Sequence, residues 1–248
     1  MLAEAFLPGV PASHVLHRLE MAGGNEVASG KLVHPESSAA LAVNAFGWFI
    51  ERPAAFPPLP GCAHAGAAEQ VEVEYCARFP WAAGRHPWLD AAIMTASHLI
   101  GVESKRFEPF RDAKMVSFSN SYRRPVWGEH MQRYGAMRDA LSSGAIRFEH
   151  LDAAQLVKHA YGLVTEGPRV SRRPILSYLF AEPATRGDVV IPSDAHVRHR
   201  DEIARFAAAV AGDEVEFVAA SYREWLNHWP EGTVLIEHKN QLCRVFQI

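Results

Sequence analysis

Cysteine is scarce in this chain. Cys62, Cys76 and Cys243 are the three in 248 residues; an odd count with these spacings fits neither a zinc knuckle nor a disulfide framework, so a reducing, cytoplasmic setting is expected. Long apolar runs are also missing. No stretch approaches the roughly 20 residues a membrane-spanning helix needs, so no membrane partner is expected. The opening Met-Leu-Ala-Glu-Ala-Phe-Leu-Pro has no basic residue before Arg18, unlike a secretory leader. No Gly-rich phosphate loop and no G-x-S-x-G elbow occurs, which disfavours nucleoside-triphosphate and serine-hydrolase chemistry. Neither sign of charge is in large excess: 25 basic against 28 acidic residues give −3, which does not by itself point to a polyanionic partner.

What is present is an ordinary globular composition, 48% hydrophobic and 21% charged, able to bury a sizeable core. The length suits one decorated domain, here taken as residues 1–248. Charge is unevenly spread. From Lys105 to Arg133 seven basic residues face three acidic ones, a local +4, and Arg169, Arg172 and Arg173 form a second group. A local positive field can hold phosphates on an acidic protein, although such clusters are commonly plain solvated surface.

Helical spacing of Val15, Leu16 and Leu19 predicts a helix over Ala12 to Met21, and Glu36-Ser37-Ser38 opens a second one. Ser37 is expected to cap it. The proline- and glycine-broken stretch 52–68 reads as a connection to the main sheet. Alternation in Gln70 to Arg78 predicts a strand, and Trp88 to Thr95 and Leu99 to Arg106 two more. Helices are expected over 127–141 and 151–164, with an apolar central strand at 174–181. The tail reads as a helix at 194–211, a strand at 214–220, a short helix at 221–228 and a strand at 232–237. The order implies an α/β or α+β fold with a central mixed sheet, a helical lead-in and a C-terminal α/β extension.

The chemistry concentrates on the second and third strands. A hairpin centred between Ala96 and Ser97 sets Asp90 opposite Glu103, with Lys105 on the same face. Ala91, Ile93, Ile100 and Val102 then form an apolar face, and a slip of one residue would drive the acids into it. Two adjacent carboxylates on a half-buried sheet repel each other, and a divalent cation relieves that. Mg²⁺ is a hard ion commonly held by one or two carboxylates plus water and phosphate. A lysine beside it can orient the water, a set suited to metal-assisted phosphodiester hydrolysis. The competing explanation is an exposed ion pair of little energetic consequence.

Leu89-Asp90, twelve residues and then Glu103-Ser104-Lys105, on adjacent strands, resembles the active-site signature of the PD-(D/E)xK nuclease superfamily. Glu36-Ser-Ser-Ala-Ala-Leu-Ala-Val-Asn44, Glu103-Ser-Lys-Arg-Phe-Glu108 and the phrase from Leu151 to His159 resemble a restriction-endonuclease-like bacterial group. Leu89 departs from the proline usual before the first acid. The resemblance implies a restriction-endonuclease-like core over about residues 30–182, with 183–248 as an extension. It implies a Mg²⁺-dependent nuclease, Mn²⁺ being a substitute, with Asp90 and Glu103 as metal ligands and Lys105 positioning water. It also implies a helical Gln beside the metal, here Gln155. Glu74 is a candidate third carboxylate. Tyr122, Arg123, Arg124, Arg172 and Arg173 are the expected nucleic-acid contacts, with DNA favoured over RNA. A homodimer is compatible with the resemblance.

Lys158 and His159 read as a solvated helix face, Glu108 as a neighbour of the site or exposed, and Glu36 and Asn44 as polar supports. His196 and His199 lack acidic or cysteine partners, so zinc is not expected. Tyr222, Trp225 and Trp229 read as core. The alternatives to a nuclease are a catalytically silent nucleic-acid- or protein-binding module of the same fold, and a metallohydrolase of small phosphoesters.

Overall fold

The computed structural model describes residues 2–23, 26–82, 84–112, 114–231 and 234–248. Helices α1 (Ala12–Met21) and α2 (Ser38–Gly47) precede a meander of β1 (Ala68–Cys76), β2 (Trp88–Thr95) and β3 (His98–Lys105). A one-turn helix α3 (Glu108–Arg111) leads to α4 (Gln132–Ser143), α5 (Ala153–Arg169) and β4 (Arg173–Phe180). A two-stranded ribbon, β5 (Thr185–Arg186) and β6 (Val189–Val190), is followed by α6 (Ser193–Val210). The chain then forms β7 (Glu216–Ser221), α7 (Tyr222–Asn227) and α8 (Val234–Phe246).

The central sheet has the order β1-β2-β3-β4-β7. Its first three strands are antiparallel, while β3/β4 and β4/β7 are parallel. It is an α+β arrangement, a five-stranded mixed sheet with helices on both faces. The hairpin register is the expected one, with Ala91 opposite Val102 and Ile93 opposite Ile100. Those four residues face α1, α2, α7 and α8, where Leu19, Leu41, Phe46, Trp225 and Leu242 complete the apolar layer. Ala92, Leu99, Leu176 and Tyr178 face the other way, against Tyr134 of α4, Leu156 and Leu163 of α5 and Phe206 of α6. Burial on both faces explains the nearly continuous apolar run of β4.

Local chemistry sets where the helices begin. The Ser37 hydroxyl accepts from the Ala40 N–H at 3.0 Å, as expected, and the Asp152 carboxylate from the Gln155 N–H at 2.9 Å. Each removes a free amide from a helix start. Helix α5 lies unusually close to the sheet because glycines stand at the contact. A Cβ on Gly101 would come within 2.5 Å of Leu89 Cδ1 and 2.9 Å of Leu163 Cδ2. Such an approach is open only to a residue without a side chain.

Three expectations change. The strand expected at 232–237 is the start of α8: residues 232 and 233 lie outside the described residues, and 234–237 are helical. Val-Leu-Ile reads as strand locally, but Leu235, His238, Leu242 and Phe246 are buried at helical spacing. The helix expected from Trp127 begins at Gln132; Trp127 lies outside it and stacks on Tyr161 with ring centroids 4.3 Å apart. The C-terminal segment is no mere appendage, since β7 supplies the fifth strand and buries Tyr222, Trp225 and Trp229 beside it.

Candidate active site

Asp90 directly precedes the Ala91–Val102 pair of the β2–β3 ladder, and Glu103, Ser104 and Lys105 close β3, so all four lie at one end of the hairpin. Backbone and side chains interlock there. The Ser104 N–H donates to Asp90 Oδ2 at 2.6 Å, and the Ser104 hydroxyl is 2.6 Å from the Tyr222 hydroxyl of α7. Glu103 is 2% exposed, and both of its oxygens are engaged. Oε1 pairs with the Lys105 ammonium, and Oε2 lies 3.2 Å from Nε2 of His159 on α5. The sheet face expected to be half open is thus covered by α5.

Burial dominates the electrostatics. It raises the Asp90 carboxyl well above its ordinary range, helped by the Glu103 charge and opposed by Lys105 and the Ser104 N–H. Glu103 is raised by burial against the pull of Lys105. Burial alone would lower the Lys105 ammonium, but Glu103, Asp90 and Glu108 outweigh it and hold the lysine charged. Glu108 keeps its charge for similar reasons: burial is outweighed by Lys105, the Ser38 hydroxyl and the Arg106 N–H, which donates at 3.0 Å. The site therefore carries three acids around one permanent cation.

Glu74 lies between the paired residues Val73 and Tyr75, opposite the stretch of β2 that holds Asp90. Its φ of 48° is rare for a long side chain and takes it out of regular strand geometry. Arg18 of α1 braces this kink by donating to the Glu74 carbonyl at 2.6 Å. Burial and the charges of Asp90, Glu26 and Glu103 push the Glu74 carboxyl up to about 8. Among the described residues, however, no three His, Cys, Asp or Glu side chains converge as a cation site. The structure brings Asp90 and Glu103 together and leaves Glu74 as a neighbouring carboxyl that burial keeps protonated.

His159 is the residue that sequence reasoning misplaced. It is 3% exposed, and burial holds its imidazole down to about 3, so it meets Glu103 as a neutral hydrogen-bond donor through Nε2. Its Nδ1 is buried without a partner. Gln155 stands one turn earlier on the same helix face, half-buried. Lys158 is at the surface side, its Nζ 5.5 Å from the Phe118 ring.

The expected nucleic-acid contacts divide. Tyr122, Arg123 and Arg124 belong to a loop packed on α4 and α5: Tyr122 stacks toward Tyr161, Arg123 pairs with Asp139 at 3.0 Å, and Arg124 covers Trp81 at 4.8 Å. Arg172 and Arg173 are not part of this site. Arg173 pairs with His98 at the start of β3, whereas Lys105 pairs with Phe180 at its end, a separation of roughly 23 Å along the strand. Arg172 is also used structurally, donating to the carbonyls of Thr95 and Val170 and to the Glu69 carboxylate. Arg169 likewise binds the carbonyls of Arg78 and Phe79.

No family model, curated protein or solved structure matches this chain significantly.

The remaining candidates are structural. Asn44 bonds Leu7, Ala5 and its own helix at Ala40. Glu36 is held by Arg111 and Arg186, and His199 Nε2 lies 3.0 Å from the Tyr178 hydroxyl. Among the described residues no helix is long and apolar enough to cross a membrane.

Proposed function

We propose that this protein is a metal-dependent nuclease of the PD-(D/E)xK type that hydrolyses phosphodiester bonds, with DNA preferred to RNA. The observation that carries the reading is the meeting of Asp90, Glu103 and Lys105 at one buried strand end beside α5. The order α2, β1–β3, α5, β4, with an antiparallel meander feeding a parallel strand, agrees with the restriction-endonuclease-like core.

The donor set fits a hard divalent ion. Both side chains offer oxygen only, and burial with mutual repulsion strains them in their charged form. Asp90 and Glu103 would hold Mg²⁺ or Mn²⁺, with the Glu74 carboxyl nearby. Such an ion supplies a water of lowered pKa and neutralises charge on the phosphate. The chain's own groups supply the rest. Lys105, kept charged by three carboxylates, orients the attacking water and stabilises negative charge growing on the phosphate oxygens. His159 fixes the Glu103 carboxylate through Nε2–H, and the Ser104 N–H fixes Asp90. Gln155 lies on the helix face that would border the substrate.

The test is cleavage of duplex DNA, single-stranded DNA and RNA in Mg²⁺, Mn²⁺ and EDTA. Metal-dependent shortening of a nucleic acid supports the reading. Binding without cleavage under every condition would leave the silent-module alternative, and hydrolysis confined to small phosphodiesters the third.

A further inference from the structure

Two concavities open along the loop 114–124. The first, of about 780 Å³, is lined in part by Lys114, Phe118 and Arg147. The second, of about 620 Å³, is lined in part by Trp81, Tyr122, Arg124 and Lys158. They share Ser117, and each holds a lysine connected to residues of the site. Lys114 donates to the carbonyl of Glu108, whose charge in turn helps hold Lys105 protonated, and Lys158 is next to His159 on α5.

At these concavities Arg123 is paired with Asp139 at 3.0 Å, but three other cations, Arg124, Arg147 and Lys158, are not. Elsewhere Arg169, Arg172 and Arg200 are each paired with a carboxylate. Arg124 and Lys158 instead lie over aromatic rings, and neither they nor Arg147 enter an ion pair among the described residues. Behind them stands a wall of packed rings in which Trp81, Phe79, Tyr122 and Trp127 meet tilted, edge to face or stacked. Unneutralised cations attract phosphates, and rings at the same place reward bases that are free to stack. Bases inside a duplex already stack on each other, so rings of this kind favour unpaired bases.

We infer that the two concavities bind a single-stranded nucleic acid flanking the bond to be cut, with Lys114, Arg147 and Lys158 on phosphates and Trp81 and Tyr122 stacking on bases. This rests on reading the carboxylate site as a nuclease centre, and it adds the strandedness of the substrate.

Binding is measured by fluorescence anisotropy in EDTA, where no cleavage is expected. The probes are labelled single-stranded DNA, single-stranded RNA and duplex DNA of about 20 nucleotides. Both single strands should bind at least tenfold more tightly than the duplex, and polyglutamate should compete poorly. Trp81→Ala and Tyr122→Ala should each weaken single-strand binding by about tenfold, and Trp81→Phe, which keeps a stacking face, should retain it. Arg147→Ala should flatten the log–log salt slope by about 0.7, and Arg172→Ala, at the other end of the sheet, should bind as the wild type does. Tighter duplex binding, competition by polyglutamate at equal charge, or normal binding by both aromatic variants would overturn the inference. The two readings fail separately. Duplex cleavage by a protein whose aromatic variants bind normally removes the groove and keeps the nuclease. Aromatic-dependent single-strand binding without cleavage in Mg²⁺ keeps the groove and removes the nuclease.

Discussion

Glu74→Gln should stabilise the metal-free protein at alkaline pH and change little in acid. Glu74 is surrounded by Asp90, Glu103 and Glu26, and burial with these charges raises its carboxyl from an ordinary 4.5 to about 8. Between those values the folded protein keeps a proton that the unfolded chain has lost. Stability is therefore fully present below about pH 4.5 and is lost as pH rises toward 8. The full shift corresponds to up to ~5 kcal/mol at ~1.4 kcal/mol per tenfold, and solvent access at the site's rim reduces this to ~2 kcal/mol. For a chain of this size that is a gain of ~4–8 °C in Tm for the glutamine variant near pH 9. Asp90 and Glu103 shift in the same direction, so the variant should still lose stability with pH, only less steeply. Melts followed by circular dichroism in EDTA, from pH 4 to 9, provide the comparison. Parallel pH profiles for the two proteins would refute the assignment of Glu74 to this charge cluster.

Glu103→Gln should leave metal-free stability unchanged or raised, because burial already disfavours the Glu103 charge, and it should abolish most of the Tm gain that Mg²⁺ or Mn²⁺ gives the wild type; equal gains in both proteins would exclude Glu103 as a ligand. Gly101→Ala should destabilise by ~1–3 kcal/mol in denaturant melts, since its methyl would meet Leu89 and Leu163. Arg172→Ala should cost ~1–3 kcal/mol of stability through the bonds lost at Thr95 and Val170, while leaving nucleic-acid affinity unchanged in an anisotropy titration.

The hairpin was legible in the residues because alternation carries the information: the apolar set Ala91, Ile93, Ile100 and Val102 permits one register, and that register brings the acids together. Lys105 follows from the same period of two. His159 was not legible as a site residue. Its neighbours Lys158 and Gln155 look like a solvated face and are only half-buried, whereas His159 itself is turned to the sheet, where it meets Glu103. The arginine group at 169–173 misled for a related reason. Charge clustering along the chain is blind to which end of a strand a residue occupies, and β4 separates Arg173 from Lys105 by its whole length. The start of α8 was misread because three branched or large apolar residues in a row fit strand and buried helix equally well, and the packing of Leu242 and Phe246 decides it.

The central claim is that Lys105 and its two acids cut a phosphodiester bond. Its most direct measurement is the single-turnover cleavage rate of end-labelled DNA in millimolar Mg²⁺, for the wild type and Lys105→Met, with folding and binding of both confirmed in EDTA. The account predicts cleavage by the wild type that stops in EDTA, and a loss of about 100-fold or more in the variant at unchanged affinity. Equal rates for the two proteins, or no metal-dependent cleavage of any nucleic acid by the wild type, would contradict it.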